Sequence, residues 1–318
     1  MRLLRRPVRP IVTPQGLQGG CVATIGAFDG LHLGHRQIIQ RVQDVAVEQG
    51  LPALVFSFEP TPKEFFSRGA PPARLMKFRE KYQALEDLNL DWFFCPRFEP
   101  ALANLSADAF IDDLLINLLN VRHLIIGDDF RFGHRRSGDI DDLRRKGAEC
   151  GFVVEQAGSV THAGGRVSSS VVRQALADGD MEQAAQLLGR AYRMSGTVVR
   201  GRMLGRELGM PTANVRLNRK LSPVQGIFAV RVAGTQMDIG QDVWVDGVAS
   251  IGTRPTVDGV EPLLEVHIFD FDRDIYGAHI QVEFVAKLRD EERFPDLESL
   301  QVQMFADAAK ARDILSVS

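Results

Sequence analysis

The sequence predicts two domains of different class, a parallel α/β domain over residues 1–184 and an antiparallel β domain over residues 185–318. Three observations carry this. Short apolar runs alternate with helix-period segments through the first half. Strand-like runs separated by turn residues, with little helix between them, fill the second. A chain of 318 residues also exceeds one ordinary small domain.

In the first half, "CVATIG" (21–26) reads as a short buried strand. The helix that follows carries Ile38, Ile39, Val42, Val45 and Ala46 on one face and has Gly50 as a natural C-cap. "PALVFSFEP" is a second strand, and "FREKYQALEDL" sets Phe78, Tyr82, Leu85 and Leu88 at helical spacing. "DWFFCPRF" makes a third strand, and Ser106 caps a helix bearing Phe110, Leu114, Leu115 and Leu118. "RHLIIG", helical "DIDDLRRKGAECG" and strand "FVVEQA" complete a parallel sheet with helices on both faces.

After "ADGDMEQAAQLLGRAYRMSG" the character changes, and the boundary is placed near residue 185. "GTVVRG", "GIFAVRVAG", "DVWVDGVASIG", "LLEVHIFDF" and "AHIQVEFVAKL" read as strands of an antiparallel sheet or closed barrel. Ile280, Val282 and Phe284 alternate with Gln281 and Glu283, the pattern of a half-buried strand with its polar residues outward. The tail, "DLESLQVQMFADAAKARDIL", returns to helical periodicity.

Composition narrows the function classes. Hydrophobic residues make up 45% and charged residues 25%, as in soluble globular proteins. A net charge of −3 gives no bulk attraction to nucleic acid or acidic membranes, so neither is expected as a partner. Cys21, Cys95 and Cys150 lie far apart without CxxC spacing, which fits a reducing compartment rather than a zinc or disulfide framework. The basic N-terminus lacks a long apolar core and a small-residue cleavage site, and no stretch approaches a membrane span; the expected location is the cytoplasm.

The first chemical constellation is "TIGAFDGLHLGHRQII". His32 and His35 lie among Gly26, Gly30 and Gly34 where a strand meets a helix. Ligands of open parallel sheets bind beyond the carboxyl ends of strands, and a helix N-terminus favours anions. Glycine admits close backbone approach, and imidazoles there can donate to phosphate oxygens. The same residues also read as a glycine-rich turn with two surface histidines, or as half of a zinc site. Two further loops favour phosphate. "IIGDDFRFGHRRSGD" follows a strand with Asp129, and "GRVSSSVVRQAL" places Ser169, Ser170 and Arg173 at a helix start. Alone, the serines read first as simple caps.

The second constellation is "RGRMLGRELGMPTANV". Gly201, Gly205 and Gly209 make a loop holding Arg202 and Arg206, followed by Pro211, Thr212 and Asn214. Thr212 and Asn214, two residues apart, face one way on an extended chain and offer neutral oxygens of the kind that hold Mg²⁺ beside nucleotide phosphates. Glu265 and His267 share one face of a strand, and a carboxylate there can take a hydroxyl proton. Each motif alone also fits an ordinary hairpin or a solvated face.

Taken together, these motifs resemble the bacterial bifunctional riboflavin kinase/FAD synthetases, whose first module is an HxGH nucleotidyltransferase. The resemblance covers nearly the whole chain. It implies a Rossmann-like FMN adenylyltransferase domain (1–184) and a six-stranded antiparallel barrel with a terminal helix as the riboflavin kinase domain (185–318). Riboflavin and ATP would give FMN and ADP, then FMN and ATP would give FAD and pyrophosphate, both with Mg²⁺. His32 and His35 are implied to contact ATP phosphates. Gly26, Phe28, Asp29, Gly30, Gly34, Asp129, Ser169, Ser170 and Arg173 are the implied ATP segments of the adenylyltransferase. Phe58, Pro60 and Pro62 are the implied flavin-side loop, with Thr61 where the family usually has histidine. In the kinase, Gly201, Gly205, Arg206, Gly209, Pro211, Thr212 and Asn214 are implied to bind ATP, Thr212 and Asn214 the metal, and Glu265 to be the base. Ser250 stands where asparagine is common and Phe228 where tyrosine is common; neither is expected to touch the catalytic set. The alternative readings are a chain with one working site and a flavin-nucleotide-binding regulator without turnover; weak or transient self-association is a further expectation.

Overall fold

The structure is a computed structural model that describes residues 1–5, 11–201, 204–234, 237, 243–256 and 259–317. The chain packs as two compact units, Met1–Pro72 with Lys81–Val167, and Ala73–Glu80 with Ser168–Ser318. Residues 168–184, assigned by sequence to the end of the first domain, therefore pack with the second unit, as does the segment 73–80.

The first unit is built on a six-stranded, wholly parallel sheet. Its elements in order are β1 (Arg2–Leu4), β2 (Cys21–Ile25), α1 (Leu33–Gln49), β3 (Ala53–Phe56), α2 (Pro62–Phe65), α3 (Phe78–Glu86, in this unit from Lys81), β4 (Trp92–Phe94), α4 (Pro100–Ala103) and α5 (Ala107–Ala109). A π-helical stretch, Phe110–Leu118, follows, then β5 (Val121–Gly127), α6 (Ile140–Cys150), β6 (Val153–Ala157) and the small hairpin β7 (Thr161–His162) and β8 (Gly165–Arg166). The strand order β1-β4-β3-β2-β5-β6 places β2 centrally. The chain steps from β2 to β3 on one side and later resumes with β5 on the other, so the switch point lies at the carboxyl ends of β2 and β5.

All five residues of β2 and all four of β3 are buried, as expected of strands covered on both faces. α1 buries Ile39, Val42, Val45 and Ala46, and Gly50 ends it in the left-handed conformation with φ 64°. Each large apolar side chain so buried contributes about 1.5–3 kcal/mol relative to exposure. Ser106 Oγ accepts from Ala109 N at 3.1 Å, the expected cap, but the helix continues as the π form. That stretch buries Phe110, Ile111, Leu114, Leu115 and Leu118 against the sheet.

The second unit begins with α7 (Ser169–Asp178) and α8 (Met181–Leu188). β9 (Tyr192–Val199), α9 (Leu204–Glu207), β10 (Ala213–Arg216), β11 (Gly226–Ala233), β12 (Val245–Thr256), β13 (Gly259–Ile268), β14 (His279–Arg289) and α10 (Leu297–Val317) follow. The six strands close into an antiparallel barrel in the order β10-β13-β12-β11-β14-β9. Phe228 and Phe284 meet edge to face at 5.2 Å, both fully buried. Glu283 departs from the alternation expected of β14: it is buried, because the Arg193 guanidinium reaches its Oε2 at 2.7 Å. An ion pair has put a carboxylate where the pattern called for solvent.

Candidate active sites

The opening motif folds as the loop between β2 and α1, at the switch point of the sheet. Phe28 (φ 47°), Gly30 (φ 89°) and Leu31 (φ 45°) all take positive φ. Left-handed backbone at non-glycine residues costs on the order of 1–3 kcal/mol each, and such strain gathers at functional loops. Phe28 and Leu31 offset it by complete burial, and Asp29 is also buried. His32 is the N-cap of α1, its Nδ1 accepting from His35 N at 3.4 Å. The two imidazoles stack with centroids 3.7 Å apart, and the Phe28 ring lies 5.1 Å from that of His35. A β-carbon at Gly34 would come within 3.3 Å of His32 Nδ1, and one at Gly26 within 3.1 Å of the Phe28 ring. The glycines leave room for the rings. Stacked rings do not converge on one metal ion, and among the described residues no group of three or more His, Cys, Asp and Glu could hold one.

His35 Nδ1 is buried and makes no hydrogen bond within the protein. Burial, with His32 and Lys81 adding positive charge, holds the His35 pKa well below the ordinary histidine value. Lys81 escaped the sequence reading. It lies on the buried face of α3, 2% exposed, and donates to Ala27 O at 2.5 Å and to Ser57 Oγ at 3.2 Å. Ser57 Oγ in turn donates to Ala27 O at 3.1 Å. A lysine three residues after Phe78, on the same helix face as Phe78 and Leu85, was the signal that could have revealed it.

The "GDDFRFG" motif leaves β5 at the same switch point. Asp129 is exposed there. The phenylalanines of the motif are anchors: Phe132 is buried 5.2 Å from Phe110, and Phe130 stacks on it at 5.7 Å. Neighbouring Asp128 accepts from Ser159 Oγ and Arg166, each at 2.6 Å, and these bonds, that of Ser159 foremost, hold its pKa below the usual carboxylate value. On the implied flavin side, Phe58 is buried against Phe56 and Phe98. Pro60 and Pro62 are half-buried, and Pro62 opens α2. Thr61, the residue that departs from the family's histidine, is the N-cap of α2 in a capping box with Glu64. Ser169, Ser170 and Arg173 belong to the second unit; Ser168 caps α7, and Arg173 Nε donates to Ala73 O at 2.6 Å.

In the second unit, barrel strands and α10 line a cavity of about 940 Å³. Thr212, Asn214, Ser250, Glu265 and His267 all reach it. Antiparallel register sets Asn214 opposite Glu265, and Glu265 opposite Ser250, so the three form one row across β10, β13 and β12. Leu264 and Val266, buried on the other face, fix which way Glu265 points. Ser250, expected to lie away from the implied catalytic set, is the cross-strand register partner of Glu265. Phe228 does lie away, in the aromatic core.

Asn214 is 7% exposed, and a β-carbon at Gly201 would approach its Oδ1 to 2.5 Å, so Gly201 roofs the amide. Gly205, in α9, also lines the cavity; a β-carbon there would lie 3.2 Å from Thr212 Oγ1. Gly209 (φ 79°) turns the chain so that Met210 N reaches Gly205 O at 2.7 Å. Arg206 and Pro211 are exposed, and the Pro211 carbonyl shares a hydrogen bond of 2.8 Å with His267 Nδ1. Arg202 lies outside the described residues. The sequence reading also missed the end of the cavity, where Arg289 grips buried Asp307 of α10 at 2.7–3.1 Å.

A parallel sheet with a strained, histidine-bearing loop at its switch point, joined in one chain to a closed barrel with an acid–amide row, defines a two-domain class of protein with two separate candidate sites. Comparisons narrow it. Residues 15–171 match the family model for FAD synthetase, and residues 188–315 match that for riboflavin kinase. The bifunctional riboflavin kinase/FMN adenylyltransferase of Escherichia coli K12 is 45% identical over 304 residues, covering 96% of each chain. That of Pseudomonas fluorescens is 46% identical over 300 residues, covering 94% of each. A solved Streptococcus pneumoniae structure described as a macrolide-efflux protein matches with a TM-score of 0.81 at 27% identity, over 96% of this chain and 97% of that one. The chain belongs to the bifunctional riboflavin kinase/FMN adenylyltransferase family. The efflux description stays with the streptococcal protein; among the described residues no helix here is long and apolar enough to cross a membrane.

Proposed function

We propose that the chain makes FAD from riboflavin in two ATP-dependent steps, the first in the barrel and the second at the parallel sheet. In the barrel, Glu265 takes the proton of the riboflavin 5′-hydroxyl. The oxygen attacks the γ-phosphorus of ATP, the bond from that phosphorus to the β–γ bridging oxygen breaks, and FMN and ADP result. Thr212 and Asn214 would hold Mg²⁺: two neutral hard oxygens beside a carboxylate suit that ion when phosphates and water supply the other ligands. The ion, when bound, neutralises phosphate charge. His267 holds the Pro211 carbonyl and so steadies the residue before Thr212.

At the sheet, an FMN phosphate oxygen attacks the α-phosphorus of a second ATP, the α–β bridging bond breaks and pyrophosphate leaves. No covalent enzyme intermediate is needed. His32, His35 and the N-terminus of α1 stabilise the charge spread over the phosphates. His35 takes part as a neutral imidazole, given its depressed pKa. Asp129 flanks the site on the β5 loop. Phe58, Pro60 and Pro62 on the flavin side, and Ser169, Ser170 and Arg173 as ATP contacts, rest on resemblance alone. Three free cysteines, Cys21 and Cys95 buried and Cys150 exposed, suit a reducing cytoplasm.

The observation that carries the reading is the register row Asn214–Glu265–Ser250 on a cavity large enough for nucleotide and flavin, with the histidine loop at the other unit's switch point. The test is separation of function. Glu265→Gln should abolish most FMN formation and leave FMN adenylylation intact. His35→Ala should do the reverse, at a cost of roughly 2.7–4 kcal/mol in the adenylyl-transfer barrier. Loss of both activities in either folded variant, or of neither, contradicts the assignment.

A further inference from the structure

A buried charge in the first unit is not used by the steps above. The Lys81 ammonium is 2% exposed, and its hydrogen bonds include those to Ala27 O and Ser57 Oγ. An ammonium taken out of water costs several kcal/mol, so a lysine that served only to fill space would be a poor choice beside methionine or leucine. Its placement is specific. Ala27 belongs to the strained loop after β2, and Ser57 follows directly on β3. Both lie at the carboxyl edge of the sheet, where the histidine pair is presented. The ammonium thus ties the loop after β2 to the end of β3.

We propose that Lys81 is a positioning residue for adenylyl transfer: it fixes the Gly26–Leu31 loop through Ala27 and Ser57 and supplies a fixed positive charge near His35, where negative charge builds up on the transferring phosphate. The proposal rests on the adenylyltransferase reading of this site. Two features support it. Phe28 and Leu31 hold strained backbone that needs outside constraint, and Ala27 is the residue next to that strain. Burial foremost, then the charges of His32, on its own helix start, and of Lys81, packed from α3, push the His35 proton affinity down. The buried Nδ1 of His35, without a partner in the protein, then meets the ligand as part of a neutral ring.

The test uses the full chain with Lys81→Met and Lys81→Arg, riboflavin kinase activity serving as an internal control on the same molecules. Lys81→Met should lower kcat for FMN adenylylation on the order of 100-fold, the scale set by misplacing reacting groups, with a smaller change in KM for FMN. It should also move the acidic limb of the kcat/KM profile to higher pH, because removing the neighbouring positive charge raises the His35 pKa toward its ordinary value. Lys81→Arg keeps the charge and should keep the limb in place. A merely structural lysine would lower stability in both variants and leave the limb of the surviving activity unmoved. NMR titration of His35 in the unaltered protein gives an answer even if Lys81→Met does not fold. His35 should stay neutral well below pH 6.5, and titration at or above that value overturns the proposal. An unmoved acidic limb in folded Lys81→Met overturns it too. Absence of FAD formation by the unaltered protein would instead remove the adenylyltransferase reading itself.

Discussion

Gly201 shows how much of a site can depend on an absent atom. The Asn214 amide occupies the volume where a side chain at 201 would begin, and the contacts are with all three of its outer atoms. An added methyl cannot be accommodated by a distant flexible tip, so the amide itself must move. Asn214 is the register partner of Glu265, and Thr212 lies two residues away on the same face. Gly201→Ala is therefore expected to raise the Mg·ATP concentration needed for half-maximal riboflavin phosphorylation by about tenfold or more, an effect of roughly 1.4 kcal/mol. FMN adenylylation should be unchanged. Initial rates against Mg·ATP check this, and an unaltered saturation curve would show that the Asn214 amide does not bear on the metal or nucleotide. Glycine here is read from its neighbours. The sequence showed three glycines in a loop, but not which of them covered the asparagine.

Elements whose signal is local were legible in the sequence; those defined by distant partners were not. α1 carried its apolar face and its terminal Gly50 in one contiguous stretch, and it forms where the periodicity placed it. β1 is three residues long and pairs with β4 at the sheet edge, so no alternation could reveal it. The 110–118 stretch has its apolar residues where expected but winds as a π-helix, a choice that packing rather than composition decides. Of the candidate sites, the histidine loop and the Thr212–Asn214 pair were visible as motifs, whereas the placement of Ser250 beside Glu265 exists only through strand register. Packing at α6 gives a test at this scale. Gly147 is buried in the helix, and a β-carbon would overlap the Phe152 carbonyl oxygen and press on its ring at 3.3 Å. Helix propensity favours alanine by about 1 kcal/mol, but overpacking against fixed backbone costs about 1–3 kcal/mol and should win. Gly147→Ala should lower the melting temperature of the first unit by several degrees while kinase activity persists; a raised melting temperature would show that the α6–β6 junction yields.

At the scale of the whole molecule, the units do not follow the chain's simple division at 185. Residues 73–80 pack with the barrel: Glu80 accepts from Arg219 at 2.5 Å and from Ser195 N at 2.8 Å, and Arg219 also donates to Arg74 O at 2.7 Å. Arg219 is 1% exposed by side chain, so this pair is built into the second unit's interior. A composition break can mark where helices give way to strands, but not which earlier segment supplies a buried carboxylate. The central claim spans both units: one chain carries riboflavin through FMN to FAD. It is tested most directly by incubating the purified protein with riboflavin, ATP and Mg²⁺ and resolving flavins, ADP and pyrophosphate over time. The account predicts that FMN appears before FAD, that ADP matches FMN and FAD combined, and that pyrophosphate matches FAD alone. FMN that accumulates to the end without FAD or pyrophosphate, or riboflavin left untouched, would contradict it.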